Sequence, residues 1–589
     1  MIHDYAIKTV EDLSNTEVTA IMECRPAFFA GSYISVYAPT NLPTGQSFGH
    51  ALFKYIFQEK AVDQSFLAEL YYQIPFEALM ELCPNKEKAL GVLTDLFSES
   101  CFNCVHDLLA NKLVDNTISA IITPDYDLTI DQALTGKSCN IVKTPDDLLN
   151  IDACQQVYFK IHGSADLPNT IVYTLKQEGE LEKWKYDLLN GLTKEKVVVF
   201  VGYSGRDFDI CPMIAYEQNY KQIVWLHYGD PEDLSPYANY LLNSNPSNLL
   251  VTGDLSELLI KLFGTIDVPR FGNGRFDPTS FNLTDDEILI WQLQVLDRLA
   301  YSTEGLPLLK RNKNRLPVEL YMGLEGSFYA HQGCYRKTAN LCLKMARDRR
   351  LEVTDRIQQL ISAAGTFSAY GNYLASWFYA KKAERLFKVS ERSIGSETLL
   401  LRMKLTFLMT RNQYYEKLKL RVLQRRLIDE ATVIFNELYE RLIHDGAWGE
   451  RQIVQHMAER LKLVVPKRPL ALTANVGYRN LGMPGMDIIN IKDMVRSDDP
   501  EKVVEGLKHI DRAIRWAVNL GMYTETWKQS RLKILKQSLP AEVRDECLKI
   551  WWENLNKCEY YWSLKIHHLA EYFYFKFKFT FKSKNKDTK

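Results

Sequence analysis

The chain contains 589 residues, of which 46% are hydrophobic, 12% aromatic and 25% charged. This composition is typical of globular proteins and excludes a disordered chain, and the length predicts more than one domain. No apolar run of about 18 residues occurs and the N-terminal region carries no hydrophobic signal segment, so we expect no membrane span, no secretion and a cytoplasmic protein. The 11 cysteines are scattered, which predicts reduced thiols rather than a disulfide framework.

The formal net charge of −1 conceals an uneven distribution. Residues 1–270 carry 19 basic and 36 acidic side chains, a net charge of −17, whereas the rest of the chain carries 53 basic and 37 acidic side chains, a net charge of +16. This asymmetry predicts two differently charged domains. Two glycines and two prolines fall within residues 267–280. We therefore predict a first domain at 1–266, a linker at 267–283, a second domain at 284–570 and an aromatic, basic tail at 571–589.

The first domain has the pattern of an α/β fold. Its apolar runs are unbroken rather than alternating, which predicts strands buried on both faces: Ala27–Ala30, Ile118–Ile122, Val157–Ile161, Val197–Val201 and Ile223–Leu226. Segments with helical spacing lie between them, at 48–57, 65–82 and 86–97. The alternation predicts a Rossmann-like, doubly wound parallel sheet, in which ligands bind beyond the carboxyl ends of the strands.

Small and polar residues follow four of these predicted strands. In chain order they are Gly31-Ser-Tyr-Ile-Ser35, Thr123-Pro-Asp-Tyr-Asp127, His162-Gly-Ser164 and Gly202-Tyr-Ser-Gly-Arg-Asp207. Together with Leu42-Pro43, the series resembles the motifs of the sirtuin-like (silent information regulator-like) NAD-consuming domain. Each motif alone is weak, but four in this order are fairly specific. The resemblance covers roughly residues 20–265.

The first loop is a candidate phosphate-binding loop. Small residues between a buried strand and a helix let backbone N–H groups approach a pyrophosphate, which makes Gly31, Ser32 and Ser35 candidates for binding NAD. The alternative is a plain strand-to-helix turn. Tyr33 departs from the family, which usually has glycine there, and adds a large side chain where the dinucleotide is expected.

The resemblance implies further NAD-binding positions in the other motifs. They are Thr123, Asp127, Gly163, Gly202, Ser204 and Asp207, with Ser204 assigned to the adenosine side. We also predict that Asp207 caps the helix that begins near Phe208, a role that is compatible with binding.

His162 is the candidate catalytic base. An imidazole titrates near neutral pH and can accept a proton from a ribose hydroxyl while the bond to nicotinamide breaks, although a structural histidine is the alternative. Asp125 stands where the family has asparagine. A carboxylate there either stabilises an oxocarbenium-like centre, as in glycosidases, or marks a copy that has lost catalysis.

Protein deacetylation is the least expected activity of the family here. Deacetylating sirtuins carry two Cys-x-x-Cys pairs that bind zinc after the catalytic histidine, whereas residues 163–201 contain no cysteine. Cys101 and Cys104 lie upstream and lack a second pair. We therefore expect no metal.

The second domain is predicted to be helical. Thr284 and Glu287 have the spacing of a capping box before an apolar helical segment at 288–299. Further amphipathic segments follow at 329–346, 354–364, 373–387, 397–409, 430–442, 450–463, 501–519 and 542–552. Similar helix starts at Gly333 and Gly371 predict an α-helical repeat, with an irregular bundle as the alternative. The alternating aromatic residues of 572–582 predict a strand.

The resemblance implies an NAD+ glycohydrolase that releases nicotinamide and ADP-ribose. Prokaryotic proteins of similar arrangement are antiphage effectors that deplete NAD during abortive infection, which implies a homo-oligomer and a phage-derived protein or nucleic-acid trigger. The basic helical clusters are candidates for binding that trigger, although the favoured interpretation is that they are solvated helix faces or face the acidic domain. The alternative function is a catalytically inactive sensor or scaffold that binds NAD or an ADP-ribose derivative without turnover.

Overall fold

The computed structural model describes residues 5–57 and 76–444, and after residue 444 only isolated positions and residues 569–577. Short gaps interrupt this coverage at 153–154, 176, 179–180, 208, 265–266, 268–269, 273, 275, 300, 392–396 and 418. The chain divides into two compact units. The first contains Met1–Glu287, and the second begins at Ile288.

An eight-stranded parallel sheet forms the centre of the first unit. Its strands are β1 (Ala6–Thr9), β2 (Ala27–Ala30), β3 (Ala120–Thr123), β4 (Asn140–Val142), β5 (Val157–Lys160), β6 (Val197–Val201), β7 (Gln222–His227) and β8 (Leu249–Thr252). Their spatial order is β1-β8-β7-β6-β2-β3-β5-β4, and every pairing is parallel. The chain changes direction across the sheet between β2 and β6. This is the position at which doubly wound sheets bind ligands.

Helices flank the sheet. In this unit they are α1 (Asn15–Glu23), α2 (Gly45–Phe57), α3 (Phe76–Glu81), α4 (Lys86–Ser98), α5 (Cys104–Val114), α6 (Thr129–Ala133), α7 (Lys183–Thr193), α8 (Ile210–Glu217), α9 (Pro236–Leu242) and α10 (Leu255–Phe263). Successive residues of one strand pack in different hydrophobic cores, on opposite faces of the sheet. Phe28 and Val199 pack in a core with residues of α5 and α10, whereas Phe29 and Val198 pack in a core with residues of α8 and α9. Both faces of the sheet are therefore covered.

This arrangement confirms the predicted α/β fold with a Rossmann-like parallel sheet. The unbroken apolar runs are strands because both of their faces are buried, as the sequence pattern indicated. The three strands without a prediction are β1, β4 and β8. Each of the three has at most four residues. The sequence of β1 carries little apolar signal because none of its residues is buried. The predicted helix at 65–82 lies largely outside the described residues, which include only its end in α3.

Part of the predicted linker is bonded to the first unit. The amide of Ala38 donates to the carbonyl of Arg270, and the amide of Gly272 donates to the carbonyl of Val36. An added Cβ at Gly272 would lie 1.9 Å from the Asn41 side chain. The segment therefore pairs with the chain that follows β2.

The second unit is helical in its described part. Its helices are α11 (Asp285–Arg298), α12 (Ser302–Arg311), α13 (Val318–His331), α14 (Tyr335–Arg347), α15 (Val353–Tyr370), α16 (Tyr373–Ser390), α17 (Glu397–Lys417) and α18 (Arg421–His444). The predicted capping box begins α11: the amide of Glu287 donates to Thr284 Oγ1 at 3.2 Å, and the amide of Thr284 donates to Glu287 Oε2 at 2.8 Å. The mostly helical C-terminal region is confirmed for these residues.

Two predictions for this unit were wrong. The segment at 329–346 is not one helix, because the chain turns between α13 and α14 at Gly333, whose φ is +75°. The described part of the tail, 571–577, is helical rather than extended. Tyr572 and Phe575 are buried there while Phe573 and Tyr574 are exposed, so burial follows a helical spacing of three and not the alternation of the sequence.

Several other segments lie outside the described residues. They include the predicted helix at 501–519 and most of those at 450–463 and 542–552. Among the helices that can be described, none combines the length and the apolarity needed to cross a membrane.

Candidate functional site

The loops after β2 and β6 touch each other closely at the carboxyl edge of the sheet. The amide of Gly31 donates to the carbonyl of Val201, and the amide of Tyr33 donates to the carbonyl of Gly202. A Cβ at Gly31 would lie 2.6 Å from the Cα of Tyr203. Gly31 and Gly202 are thus required for the packing of the two loops. The amides of Gly31 and Tyr33 are already used within the protein and are not available to a pyrophosphate.

Tyr33 belongs to an aromatic cluster. Its ring centroid lies 5.2 Å from that of Tyr228, 5.8 Å from that of Tyr37 and 6.0 Å from that of Phe271. Burial raises the pKa of the Tyr33 hydroxyl, which therefore stays protonated. The substitution of the family's glycine is explained by these contacts, which connect the loop after β2 with the chain after β7.

Ser35 and Asp127, both predicted to bind NAD, form a hydrogen bond with each other. Ser35 Oγ donates to Asp127 Oδ2 at 3.1 Å, and it lies 3.1 Å from His106 Nε2. The backbone N–H of Asn103 donates to His106 Nδ1 at 3.1 Å. Because Nδ1 accepts, the proton of the neutral ring is on Nε2, which donates to Ser35. This polarity is opposite to that of a catalytic triad, so His106 does not activate Ser35 as a nucleophile.

Burial keeps the imidazole of His106 in its neutral form. His106 is fully buried, and burial lowers its pKa to about 4, against the charge of Asp127. Asn103 adds two hydrogen bonds from its side-chain amide to the carbonyls of Ile34 and Tyr37. The network therefore fixes the loop after β2 to α5.

The predicted catalytic residue His162 follows β5 and is 3% exposed. Its Nε2 lies 3.2 Å from Oδ1 and 3.1 Å from Oδ2 of Asp209, the residue immediately before α8. Burial alone would lower the pKa of His162, but the charge of Asp209 outweighs it, so the pKa lies above its ordinary value. A carboxylate on one imidazole nitrogen fixes the ring and leaves Nδ1 directed elsewhere.

Gly163 holds His162 in place. Its φ is +92°, and an added Cβ would lie 2.2 Å from the carbonyl oxygen of Thr170. The carbonyl of His162 accepts a hydrogen bond from the amide of Val172. The turn that positions the imidazole therefore requires glycine for its backbone angle and for space.

Acidic residues surround His162. Glu178, Asp207 and His162 each offer one ligand atom, and these three atoms all lie within 4.8 Å of one another. Glu77 is buried beside Glu178: burial raises the pKa of Glu77 to about 8, and burial together with the charge of Glu77 raises the pKa of Glu178 well above its usual range. Burial also raises the pKa of Asp207.

Asp125 lies two residues beyond β3, which pairs with β5 in the sheet. Its amide donates to Thr123 Oγ1 at 3.1 Å. Burial and the charge of Asp127 raise the pKa of Asp125 well above its usual range, although Lys160 opposes the shift. These surroundings favour the neutral acid, which can donate a hydrogen bond as an asparagine amide does.

The remaining predicted residues are placed differently. Ser204 is exposed, and Ser32 begins a short 3-10 helix, Ser32–Val36. The prediction that Asp207 caps a helix was wrong, because α8 begins at Ile210 and Asp209 occupies the position before it. Sequence reasoning missed Asp209, His106, Glu77 and Glu178. The only sequence signal for any of these residues was the position of Asp209, two residues after the end of the last motif, Gly202–Asp207.

Comparison with known proteins agrees with the motifs. Residues 119–242 match the family model described as "SIR2-like domain". The chain contains a sirtuin-like domain. The matched region includes Thr123, Asp125, Asp127, His162, Gly163, Gly202, Ser204 and Asp207, whereas Gly31, Ser32 and Ser35 precede it.

Two further comparisons concern the whole chain. No curated protein matches the chain. One solved structure that the chain is similar to is a Signal Transduction ATPase with Numerous Domains (STAND) protein with a tetratricopeptide repeat sensor, from Pyrococcus horikoshii. The sequence identity is 10% and the TM-score is 0.20, and the alignment covers 100% of this chain and 99% of that chain.

Proposed function

We propose that the sirtuin-like domain hydrolyses NAD+ to nicotinamide and ADP-ribose. The observation that carries this proposal is the His162–Asp209 pair, which stands at the carboxyl end of β5 beside the end of β3. In the reaction the bond between ribose C1′ and the nicotinamide nitrogen breaks, and a water oxygen bonds to C1′. Nδ1 of His162 accepts the proton that this water loses, and the charge of Asp209 stabilises the resulting imidazolium.

Acidic side chains support the same chemistry. Departure of nicotinamide creates positive charge on the ribose, and nearby carboxylates stabilise that charge. Asp207 is adjacent to His162, and Asp125 interacts electrostatically with Asp207. The predicted NAD contacts at Ser32, Thr123, Ser204 and Asp207 remain part of this proposal.

The biological role that we propose is antiphage defence by NAD depletion in the cytoplasm. The helical unit would sense a phage-derived protein or nucleic acid, and a homo-oligomer would restrain the activity at rest. This part of the proposal depends on the family resemblance, with the basic excess after residue 270 as its support from the chain itself.

A second candidate function is nucleotide binding without turnover. The observation that favours it is Asp125, a carboxyl group where the family has asparagine, since a copy that has lost catalysis would show such a change.

The test is to measure NAD loss and ADP-ribose formation by chromatography, with the full chain and with candidate triggers. His162→Ala is compared with His331→Ala, because His331 forms the same kind of pair with Asp297 at 3.1 Å in the helical unit. Hydrolysis that His162→Ala abolishes and His331→Ala spares supports the proposal. Hydrolysis that survives His162→Ala contradicts the mechanism, and NAD binding by calorimetry without any turnover favours the second function.

A further inference from the structure

One face of α16 presents apolar and basic side chains together. Its exposed residues follow the spacing of a single helical face: Leu374, Trp377, Phe378, Lys382 and Arg385. The opposite face of the helix carries its buried residues. The exposed residues therefore form one stripe, about 16 Å long, that is apolar at its start and basic at its end.

The preceding helix pair gives a reference for α16. Ser376 Oγ donates to the carbonyl of Ala364 at 2.6 Å. In the preceding pair, 38 residues earlier, Thr338 Oγ1 donates to the carbonyl of Gly326 at 2.9 Å. The pairs α13–α14 and α15–α16 are therefore built in the same register, and their residues can be compared one by one.

The comparison shows that α16 is not shaped for a further helix of the repeat. Trp377 stands where α14 has Ala339, and Phe378 stands where α14 has Asn340. Ala339 is fully buried, whereas Trp377 is 51% exposed. A small residue lets a neighbouring helix approach closely, and an indole prevents the same approach. This face of α16 is therefore available to a different kind of partner.

Neighbouring rings hold Phe378 in place. Its ring meets that of Tyr379 nearly at right angles, with 5.2 Å between the centroids. Tyr379 in turn stacks on Phe367 of α15, with 5.5 Å between the centroids. Phe378 is nevertheless 56% exposed. A ring that is already anchored loses little side-chain freedom when a partner stacks on it.

The charge that α16 offers to a partner is positive. Glu384 is the one acidic residue of the helix, and its carboxylate is engaged by Lys381 and by Arg411 of α17, each at 2.8 Å. Lys382 and Arg385 are exposed and form no ion pair within the part of the chain that the structure describes. The partner is therefore expected to be anionic.

We propose that residues 374–385 bind single-stranded nucleic acid, with bases stacked on Trp377 and Phe378 and phosphates beside Lys382 and Arg385. Proteins that bind unpaired strands combine aromatic stacking with cations along the backbone. A duplex is disfavoured because its bases are already stacked on one another. An acidic protein segment would pair with the cations, whereas a nucleic acid supplies both the anions and the flat aromatic bases. The inference concerns the helical unit and does not depend on NAD hydrolysis.

The test is fluorescence anisotropy of labelled oligonucleotides of about 20 nucleotides with the full-length protein, in the absence of NAD. Single-stranded DNA, single-stranded RNA and the DNA duplex are compared. We expect saturable binding of a single strand, tighter than that of the duplex, and the ratio of the DNA and RNA affinities identifies the preferred strand. Because NAD is absent, failure of this binding and failure of NAD hydrolysis are separate results.

Two double variants test the two halves of the stripe. Trp377→Ala with Phe378→Ala should weaken single-strand binding by at least about tenfold and leave its salt dependence unchanged. Lys382→Ala with Arg385→Ala should also weaken it and should reduce the slope of log affinity against log salt by about 1–1.5. The residues are exposed, and circular dichroism checks the fold. If a double variant fails that check, its single variant Trp377→Ala or Arg385→Ala decides by the same criteria.

The control for charge is Lys344→Ala with Arg347→Ala, which removes two exposed cations from the corresponding positions of α14. We expect its affinity to stay within about threefold of the wild type. Absence of single-strand binding, tighter binding of the duplex, or site variants that bind like this control would each overturn the proposal. Site variants that dissociate an oligomer in sedimentation yet bind the oligonucleotide normally would assign the face to a second copy of the chain, which also overturns it.

Discussion

Both carboxylate oxygens of Asp209 lie within 3.2 Å of Nε2 of His162, although the two residues are 47 positions apart in the chain. The pair exists because β5 and β6 end at the same edge of the sheet, with β2 and β3 between them. Asp209 is therefore the residue that orients the proposed catalytic imidazole.

Replacing Asp209 with asparagine should impair NAD hydrolysis strongly. An amide keeps the shape but cannot stabilise the imidazolium, and comparable changes in His–Asp pairs reduce turnover on the order of 10²- to 10⁴-fold. Steady-state NAD loss measures the effect. Asp297→Asn, in the matched pair with His331, should leave turnover unchanged. Equal rates for the two variants would rule out the positioning role.

Asp125→Asn should retain most of the activity. The surroundings of Asp125 favour its neutral acid, which donates a hydrogen bond as the amide of asparagine does. We expect turnover within about threefold of the wild type for Asp125→Asn, and a loss of about 10²-fold for Asp125→Ala. If Asp125→Asn is as inactive as Asp125→Ala, then the ionised carboxylate is the required form.

Gly163→Ala should destabilise the protein by about 3 kcal/mol or more, because φ is +92° and the new Cβ would overlap the Thr170 carbonyl. Gly191→Ala is the matched control. Gly191 lies in α7 with nothing within 4 Å of an added Cβ, so alanine there should stabilise by about 0.5–1 kcal/mol. Denaturant midpoints of the full chain measure both changes, and a Gly163→Ala midpoint equal to that of the wild type would contradict the assignment.

The neutral state of His106 should make folding sensitive to acid. Its pKa is about 4 in the folded protein and about 6.5 when unfolded, so the unfolded chain binds more protons between these values. The stabilisation is complete above pH 6.5 and is lost as pH falls through 4, a change of about 3 kcal/mol.

His106→Gln provides the comparison for this prediction, because glutamine does not titrate. Carboxyl groups also titrate in this range, so the informative quantity is the difference between the two proteins in the slope of denaturation midpoint against pH. We expect the wild type to have the steeper slope from pH 6.5 to 4. Identical slopes would show that folding does not lower the pKa of His106.

The sequence determined the fold class of both domains and five of the eight described strands, because local physical signals specify them. Unbroken apolar runs such as Val197–Val201 form strands only when both faces are covered, and the capping box of Thr284 and Glu287 acts within one turn of helix. The sequence also placed His162 and Asp125 at strand ends, where a parallel sheet binds its ligands.

Only the tertiary structure decided what those residues contact. Ser35 and Asp127, which we predict to bind NAD, form a hydrogen bond with each other, and His106 from α5 contacts Ser35. The tail at 572–577 alternates in sequence, yet it is helical, since burial of Tyr572 and Phe575 selects that period. Asp209 and Glu178 meet His162 through folding of distant segments, and no local pattern encodes such a meeting.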